Sequence, residues 1–249
     1  MSHVMQYQPQ WIREDFVDFI AEKVNPVWAW KKVKASIVDV QMLRADFYQI
    51  QLQPNHNFHA KAFRAGHSIL VTLVIAGIRQ QRSYSIVKIT ETGNIVIAVK
   101  RQGKVSNALT HLAVGSVVEI SQVQGDFSLN SSQDSILLLA SGSGITAIYS
   151  LLQQALTQKV SQIDLIYFTR DDAFHTELQQ LSEQYSQFNY HHFNTLVPAP
   201  ETLPPIAFKK FSKSIISGSR AAFLIVVIPL AFTAASIMFS VAPTDGKSN

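Results

Sequence analysis

The sequence predicts a β plus α/β protein: an antiparallel β-barrel followed by a shortened, doubly wound parallel sheet. Between Lys34 and Val123, short apolar runs recur at regular spacing with turn residues between them, which is typical of a small barrel of about six strands. After Gln133 the runs become continuously apolar and alternate with helical stretches, as expected of strands buried on both faces. Because the period changes there, we predict a domain boundary near residue 133.

The predicted barrel domain occupies residues 33–132 and contains one helix. Its strands are expected at residues 35–40, 47–52, 68–75, 83–89, 94–100 and 116–123. Between the last two strands, residues 106–112 form the predicted helix. Ser106 is its predicted N-cap, because a serine hydroxyl accepts hydrogen bonds from first-turn N–H groups.

The predicted α/β domain occupies residues 133–200. Strands are expected at 135–140, 163–168 and 190–194, and helices at 145–156 and 173–185. A strand–helix–strand–helix–strand order is half of a doubly wound nucleotide-binding domain. The sequence therefore predicts a partial domain of this kind.

Residues 1–32 precede the barrel and contain an amphipathic pattern. Apolar residues recur at helical spacing over residues 10–24, and Pro26 ends the pattern. We expect this helix to pack its apolar face on the barrel; a helix that faces a membrane or a partner is the alternative. Residues 1–10 are polar, so no signal peptide is predicted.

The C-terminal part of the chain changes in character. Residues 201–220 are predicted to be a linker that contains prolines and four basic side chains, Lys209, Lys210, Lys213 and Arg220. Residues 221–242 carry no charge, and 21 helical residues would span roughly 31 Å, which predicts a transmembrane tail anchor on a cytoplasmic body. Two alternatives are a buried strand at 223–228, replacing a missing strand of the α/β domain, and an unstructured tail.

Composition and charge exclude several function classes. The chain has no cysteine, which excludes disulfides, thiol nucleophiles and cysteine-ligated metal clusters. Residues 1–201 contain 16 basic and 16 acidic side chains, so the net charge of +4 comes from the C-terminal stretch and no basic face for nucleic acid is expected. His191 and His192 point to opposite faces of a predicted strand, and no metal site is predicted.

The first chemical motif, Arg82-Ser83-Tyr84-Ser85, lies in a predicted barrel strand. Strand alternation places Arg82 and Tyr84 on one face and Ser85 on the other. A guanidinium fork matches two phosphate oxygens, and a tyrosine ring suits a flat aromatic ligand. These side chains together suit a flavin nucleotide; an ordinary strand with a salt-bridging arginine is the alternative.

Two glycine turns each precede a predicted helix. The turn Gly103-Lys104-Val105-Ser106 would place backbone N–H groups where they bind phosphate oxygens, and a capped helix after a hairpin is its alternative. The segment Gly142-Ser143-Gly144-Ile145-Thr146-Ala147 fits the G-x-G-x-x-G/A pattern between a buried strand and a helix. Asp164 begins the second strand, so the ribose-binding acid of an ordinary NAD site is not found at its usual place.

Taken in order, these motifs resemble those of the ferredoxin–NADP reductase superfamily, in particular its flavodoxin-reductase and oxygenase-reductase branch. The resemblance covers residues 33–195. Two further segments carry it: Gly125-Asp126-Phe127 between the domains, and Tyr167-Phe168-Thr169-Arg170 at the second strand of the α/β domain. It implies FAD and NAD(P)H as cofactors.

On the flavin side, the resemblance implies a role for each motif residue. Arg82 would pair with the FAD pyrophosphate, Tyr84 would stack on the flavin ring, and Ser85 would approach flavin N5. Phosphate would also be held by backbone amides of the turn that contains Gly103, Val105 and Ser106.

On the nicotinamide side, the resemblance assigns the NAD(P)H pyrophosphate to Gly142, Gly144 and Thr146, and the adenosine ribose or its 2′-phosphate to Arg170. It implies an FAD-dependent NAD(P)H oxidoreductase that passes electrons to a ferredoxin-like protein or to a membrane oxygenase or desaturase. After Thr195 the chain departs from the family, because the usual Cys-Gly-Pro segment is not found. The alternative is a membrane-anchored flavin-binding module, or a disrupted reductase, without nicotinamide-driven activity.

Overall fold

The computed structural model describes residues 14–44, 46–129, 135–170, 173–194 and 224–227. They form an antiparallel barrel followed by a parallel sheet with helices, as the sequence predicts. In chain order the elements are α1 (Glu14–Val24), β1 (Val33–Arg44), β2 (Phe47–Pro54), β3 (Ser68–Ile75), β4 (Ile78–Ile89), β5 (Ile95–Lys100), α2 (Lys104–Thr110), β6 (Val117–Ile120), β7 (Ser135–Ser141), α3 (Ile145–Thr157), β8 (Gln162–Thr169), α4 (His175–Gln184), β9 (Phe188–Asn194) and β10 (Leu224–Val227).

The barrel closes in the order β1-β2-β5-β4-β3-β6, and its neighbouring strands are antiparallel. Alternate side chains point inward along each strand, as Ile95, Ile97 and Val99 of β5 do. The core of the barrel is built from residues between 33 and 120, so the ring encloses its own apolar interior.

The second half is a parallel sheet in the order β10-β7-β8-β9. The β7–β8 and β8–β9 ladders each keep one register, for example with Leu138 opposite Leu165 and Leu165 opposite Tyr190. The helices α3 and α4 connect consecutive strands, which is the crossover that parallel pairing requires.

The core of the parallel sheet extends onto the outside of the barrel. Besides residues of its own strands and helices, its buried cluster includes four barrel residues, Phe47, Val87, Val96 and Ala98. In β5 these side chains alternate with those that fill the barrel, so the strand is buried on both faces. This double burial explains the uninterrupted apolar sequence of β5.

The N-terminal helix contacts the segment that follows it, but part of its apolar pattern is exposed. In α1, Asp18 is only 3% exposed, whereas Phe19 and Val24 from the apolar pattern are 54% and 70% exposed. The Trp30 N–H donates to the Asp18 carboxylate at 2.8 Å, so a polar contact helps to hold the helix in place. Residues 10–13 of the predicted helix lie outside the described residues.

The described part of the predicted tail anchor is a strand and not a helix. β10 pairs in parallel with β7, with Leu224 opposite Leu137 and Val227 opposite Ala140. The linker 201–220 and the rest of 221–242 lie outside the described residues. Within the part of the chain that is described, no helix is long and apolar enough to cross a bilayer.

Candidate functional site

The Arg82-Ser83-Tyr84-Ser85 motif lies at an open strand edge. In β4, Arg82 pairs with Val71 of β3, and Ser85 pairs with Ser68. β5 pairs with β4 only at residues 86–89. Among the described residues, no strand pairs with the second edge of residues 78–85. This edge therefore offers backbone N–H and C=O groups to a ligand.

Tyr84 is half-buried and packs against the barrel core. Burial raises the pKa of its phenol to about 12, and the positive charge of Arg82 offsets part of this rise. The phenol is therefore neutral at physiological pH. It offers a flat ring face and an O–H donor, and it places no negative charge beside a ligand.

Arg82 is exposed and extends from the same face of β4 as Tyr84. Its guanidinium donates to the carbonyl oxygen of Gln81 at 2.8 Å. Among the described residues, none of the ion pairs involves Arg82. Most of the five guanidinium donors remain for an anion. Ser85 is half-buried on the opposite face of the strand.

The turn before α2 differs from its prediction at the cap. α2 begins at Lys104 and Gly103 is its N-cap, so the prediction of Ser106 as N-cap is wrong. The Ser106 hydroxyl instead accepts hydrogen bonds from the N–H groups of Gln102 and Gly103, both at 3.0 Å. The first-turn N–H groups of Lys104, Val105 and Ser106 have no acceptor one turn earlier in the helix. They are therefore candidate donors to a phosphate.

The third motif forms a 3₁₀ turn, Gly142–Gly144, between β7 and α3. Gly142 has a φ of +52°, a left-handed conformation that favours glycine. The Tyr167 hydroxyl donates to the Gly142 carbonyl oxygen at 3.1 Å, and the Thr146 hydroxyl donates to the Ser143 carbonyl oxygen at 3.0 Å. Both hydrogen bonds engage carbonyl oxygens, which suits a turn whose N–H groups receive a pyrophosphate.

One hydrogen bond brings the two glycine turns together. The side-chain amide of Gln102, from the barrel, donates to the Ser143 hydroxyl of the α/β half at 3.3 Å. The turn of Gly103 and the turn of Gly142 thus lie next to one another across the domain boundary. Nucleotides bound at these two turns would share one cleft.

Arg170 follows β8 and is exposed at the carboxyl edge of the parallel sheet. β7 and β8 run in register, with Ser141 opposite Phe168, so the end of β8 lies on the same edge as the 142–144 turn. Ligands of open α/β sheets bind outside the carboxyl ends of the strands. Arg170 therefore lies where a nucleotide bound at that turn would extend.

Sequence reasoning did not identify Arg101, which directly precedes Gln102. Its guanidinium lies over the ring of Tyr48, 4.7 Å from the ring centroid. Its Nε is buried and has no hydrogen-bond partner among the described residues. A buried donor without a protein acceptor is uncommon, which makes this Nε a candidate donor to a ligand. The sequence signal is only one basic residue before a glycine turn, which does not distinguish it from a solvated arginine.

The loop before β3 fits tightly against the segment that joins the domains. Gly66 has a φ of +88°, and a Cβ at this position would lie 1.8 Å from the Phe127 carbonyl oxygen. The Gly66 N–H donates to the buried Ser150 hydroxyl of α3 at 2.9 Å. The Gly125-Asp126-Phe127 step therefore lies at a close contact between the barrel and the α/β half.

Two other features do not indicate a cofactor site. A cleft of about 500 Å³ is lined by Arg64, His67, Gly125 and Asp126 among others, and by no residue of the Arg82, Gly103 or Gly142 motifs. Within the described ranges, no cluster of three or more histidine, aspartate or glutamate side chains could hold a metal ion.

Two family models match the chain. Residues 34–129 match the model of an oxidoreductase FAD-binding domain, and residues 133–216 match that of a ferric reductase NAD binding domain. The chain belongs to the ferredoxin–NADP reductase superfamily. The predicted cofactors, FAD and a nicotinamide nucleotide, are thereby confirmed.

Relatives of this superfamily match only part of the chain. The flavohemoprotein of Chromobacterium violaceum is 30% identical over 162 residues, which cover 59% of this chain and 39% of that protein. The phthalate dioxygenase reductase of Burkholderia cepacia is 29% identical over 168 residues, which cover 64% of this chain and 51% of that protein. A solved phthalate dioxygenase reductase has a TM-score of 0.61 at 26% identity, over 77% of this chain and 58% of its own. The chain spans less than half the length of the flavohemoproteins it matches.

For a member of the ferredoxin–NADP reductase superfamily, the described residues offer the kinds of group that FAD requires. FAD needs cationic or N–H donors for its pyrophosphate and a flat face for its ring. Arg82, the first turn of α2 and Tyr84 supply these groups. The buried, unpaired Nε of Arg101 is a further donor beside the same turn.

Proposed function

We propose that the protein is an FAD-dependent NAD(P)H oxidoreductase that moves electrons from a nicotinamide nucleotide through flavin to a redox partner. The hydrogen bond between Gln102 and Ser143 carries the proposal, because it joins the turn for one nucleotide to the turn for the other. Hydride transfer requires the two reacting rings to be held together, and a shared cleft between the domains meets that requirement.

On the flavin side, the chain would hold FAD along the open edge of β4. Arg82 would bind the pyrophosphate through its guanidinium fork. Tyr84 would stack on the flavin ring, and its pKa of about 12 keeps a phenolate charge away from that ring. Ser85, on the other face of the strand, would approach flavin N5. Bound FAD would supply the hydride acceptance and the release of single electrons.

The turn before α2 would bind FAD phosphate through backbone amides. The amides of Val105 and Ser106 lie in the first helical turn, where the positive end of the peptide dipoles favours an anion. Gly103 precedes them as the N-cap. Arg101 is added to this set because its buried Nε lacks an acceptor among the described residues.

On the nicotinamide side, the 142–144 turn would receive the NAD(P)H pyrophosphate. Gly142 and Gly144 permit a close backbone approach, and Thr146 ties the turn to α3 through its hydrogen bond to Ser143. Arg170 would contact the adenosine ribose or its 2′-phosphate from the same edge of the sheet.

The proposed electron acceptor is a ferredoxin-like protein or a membrane oxygenase or desaturase. Two relatives support this class of partner by their names: the phthalate dioxygenase reductase of Burkholderia cepacia and the ferredoxin reductase component of the 3-ketosteroid-9-alpha-monooxygenase of Rhodococcus rhodochrous. The second is 38% identical over 95 residues, which cover 36% of this chain.

For residues 221–242, the pairing of β10 with β7 favours a sheet strand over a tail anchor on a cytoplasmic body. Deletion of residues 209–249 separates the two interpretations. Loss of an anchor would move the protein from the membrane fraction to the soluble fraction. Loss of a strand would leave the fraction unchanged and lower the stability of the α/β half.

An absorption spectrum of the full chain reconstituted with FAD tests the proposed activity. We expect flavin bands that bleach when NADPH or NADH is added without oxygen. A protein that binds no flavin would refute the proposal. Bound flavin that dithionite reduces but neither nicotinamide reduces would identify a flavin-binding module instead.

The role of Arg82 is tested by Arg82→Ala. Loss of a charge-assisted phosphate contact costs about 1.5–3 kcal/mol, so the Kd for FAD should rise roughly 10- to 150-fold. Arg79→Ala is the matched control, because Arg79 lies in the same strand and pairs with Glu119. Equal FAD affinity in the two variants would contradict the role given to Arg82.

A further inference from the structure

Five large apolar side chains of the N-terminal segment form an exposed surface. We call it the N-terminal apolar surface, and it consists of Phe19, Ile20, Val24, Trp28 and Trp30. Each side chain is between 48% and 70% exposed. The other large apolar residues that are exposed in the described part of the chain are scattered over the barrel: Met42, Val74, Ile78 and Val114. Clustering of this kind marks an interaction site, whereas single exposed apolar residues need no explanation.

Specific polar contacts hold α1 with its apolar side chains outward. Asp18 is buried, accepts a hydrogen bond from the Trp30 N–H and pairs with Lys32 at 3.4 Å. Glu22 pairs with Lys34, itself only 7% exposed. The helix therefore directs acidic side chains towards the protein, the reverse of what an amphipathic helix does when its own protein covers its apolar face.

The segment that carries the two tryptophans is also held in place. The side-chain amide of Asn55 donates to the carbonyl oxygens of Val27 and Lys32, at 3.2 and 3.0 Å. That of Asn57 donates to the carbonyl oxygens of Ala29 and Lys32, both at 3.0 Å. Trp28 and Trp30 thus project from a backbone fixed to the barrel, so their exposure is a property of the fold.

Two lysine ammonium groups lie at the edge of this surface. The Lys23 ammonium lies 5.4 Å from the ring centroid of Phe19, and the Lys31 ammonium lies 5.8 Å from that of Trp30. The acids Asp18 and Glu22 are engaged by lysines. An exposed apolar surface with tryptophan and lysine at its edge complements anionic lipid headgroups above a hydrocarbon layer.

We propose that the N-terminal apolar surface binds the headgroup region of an anionic lipid bilayer and holds the reductase body against it. Composition favours lipid over a protein partner. Protein interfaces are enriched in arginine and depleted in lysine, whereas residues 14–34 contain four lysines and no arginine. Interfacial helices combine large aromatic and aliphatic residues on one face with lysine beside them.

Tryptophan fluorescence of the full chain tests the proposal. The three tryptophans are Trp11, Trp28 and Trp30, so a Trp11→Phe variant reports on the proposed surface alone. We expect vesicles of phosphatidylcholine with phosphatidylserine to shift its emission to the blue, and lipids brominated near the headgroup to quench it. Emission that vesicles neither shift nor quench would overturn the proposal, including the case in which the C-terminal segment alone carries the protein to the vesicle.

Paired substitutions in that background test whether this surface causes the binding. Ile20→Gln with Val24→Gln should weaken vesicle binding roughly tenfold or more, since two apolar side chains no longer enter the lipid. Val74→Gln with Ile78→Gln is the matched control, because these two residues are equally exposed on the β3–β4 hairpin. Equal weakening in the two variants would overturn the proposal. The proposal would also be overturned if the parent chain self-associates and the Ile20→Gln, Val24→Gln variant does not. The surface would then be a dimer interface.

Discussion

The barrel and the parallel sheet build their cores in different ways. The barrel fills its ring with its own residues, between 33 and 120. The parallel sheet completes its core with Phe47, Val87, Val96 and Ala98, which the barrel presents on its outer face. The difference teaches that folding is asymmetric: the barrel carries the information for its own closure, and the α/β half uses the closed barrel as a packing surface.

Substitution of Phe47 should have the largest effect on the dependence of the α/β core on the barrel. Phe47 is buried, and its ring meets that of Phe174 edge-on at a centroid distance of 5.9 Å. Phe47→Ala should cost about 3–5 kcal/mol, because it removes a buried ring from the shared core. Hydrogen exchange should show faster exchange in β7, β8 and β9 while the barrel strands stay protected.

Ile50→Ala is the matched control for Phe47→Ala, because Ile50 lies in the same strand and faces the barrel core. It should lower the protection of both halves together. If Phe47→Ala also exposes the barrel strands, the two cores unfold as one and the asymmetry is wrong.

Substitution of Gly66 tests how closely the loop before β3 packs against Phe127, in the segment between the two domains. Gly66→Ala should cost about 2–5 kcal/mol, since it adds a left-handed penalty to an overlap with the Phe127 carbonyl oxygen. Gly77→Ala is the control, because Gly77 also has a positive φ, +77°, but nothing lies within 4 Å of its added Cβ. It should cost about 1–2 kcal/mol. Equal losses of thermal stability in the two variants would show that the contact between Gly66 and Phe127 can relax to accommodate a methyl group.

Removal of the Ser150 hydroxyl tests the same contact between the barrel and the α/β half, with a smaller expected effect. The hydroxyl accepts from the Gly66 N–H and donates to the Ala147 carbonyl oxygen at 2.8 Å. Ser150→Ala leaves a buried N–H without an acceptor, so a loss of about 1–3 kcal/mol in the free energy of unfolding is expected. Ser182→Ala is the control, because the Ser182 hydroxyl donates to the Gln179 carbonyl oxygen within α4. This substitution should change the free energy of unfolding by less than about 0.5 kcal/mol.

Tyr84 gives the smallest effect, confined to high pH. Its folded-state pKa of about 12 lies above the ordinary value of 10.0. The unfolded chain releases this proton first, so the associated stability is complete below pH 10 and is lost as pH rises towards 12. Denaturant midpoints measured from pH 9 upwards should fall less steeply for Tyr84→Phe than for the parent chain. Identical slopes would contradict the raised pKa.

The fold could be predicted because its two halves have different hydrophobic periods. Strands such as β2 alternate in burial, whereas the centre of β7 is continuously apolar and almost wholly buried. The start of β4 was missed, because residues 78–82 are mostly polar and lie beside the open edge. The packing of the N-terminal helix could not be predicted in detail, because a pattern identifies an apolar face but does not say what covers that face.

The candidate site residues can be proposed one by one from local patterns, but their assembly cannot. Strand alternation correctly puts Arg82 beside Tyr84 on one face, since spacing decides it. The contact between Gln102 and Ser143 depends on how two domains pack, which no local spacing encodes. Ser106 was assigned to the wrong cap position because Gly103, lacking a side chain, gives no hydroxyl or carboxylate signal for a helix start.

The open edge of β4 also bears on how a newly made chain survives before it acquires its cofactor. An unpaired strand edge is a template on which a second polypeptide can add a strand. Arg79 and Arg82 lie along this edge, and charged side chains there oppose such pairing. Arg82 would then have two roles. Before FAD binds, its charge would oppose aggregation at this edge; afterwards, it would bind the FAD phosphate, and the bound FAD would cover the edge. The supply of flavin during synthesis should accordingly set how much of the protein accumulates in soluble form.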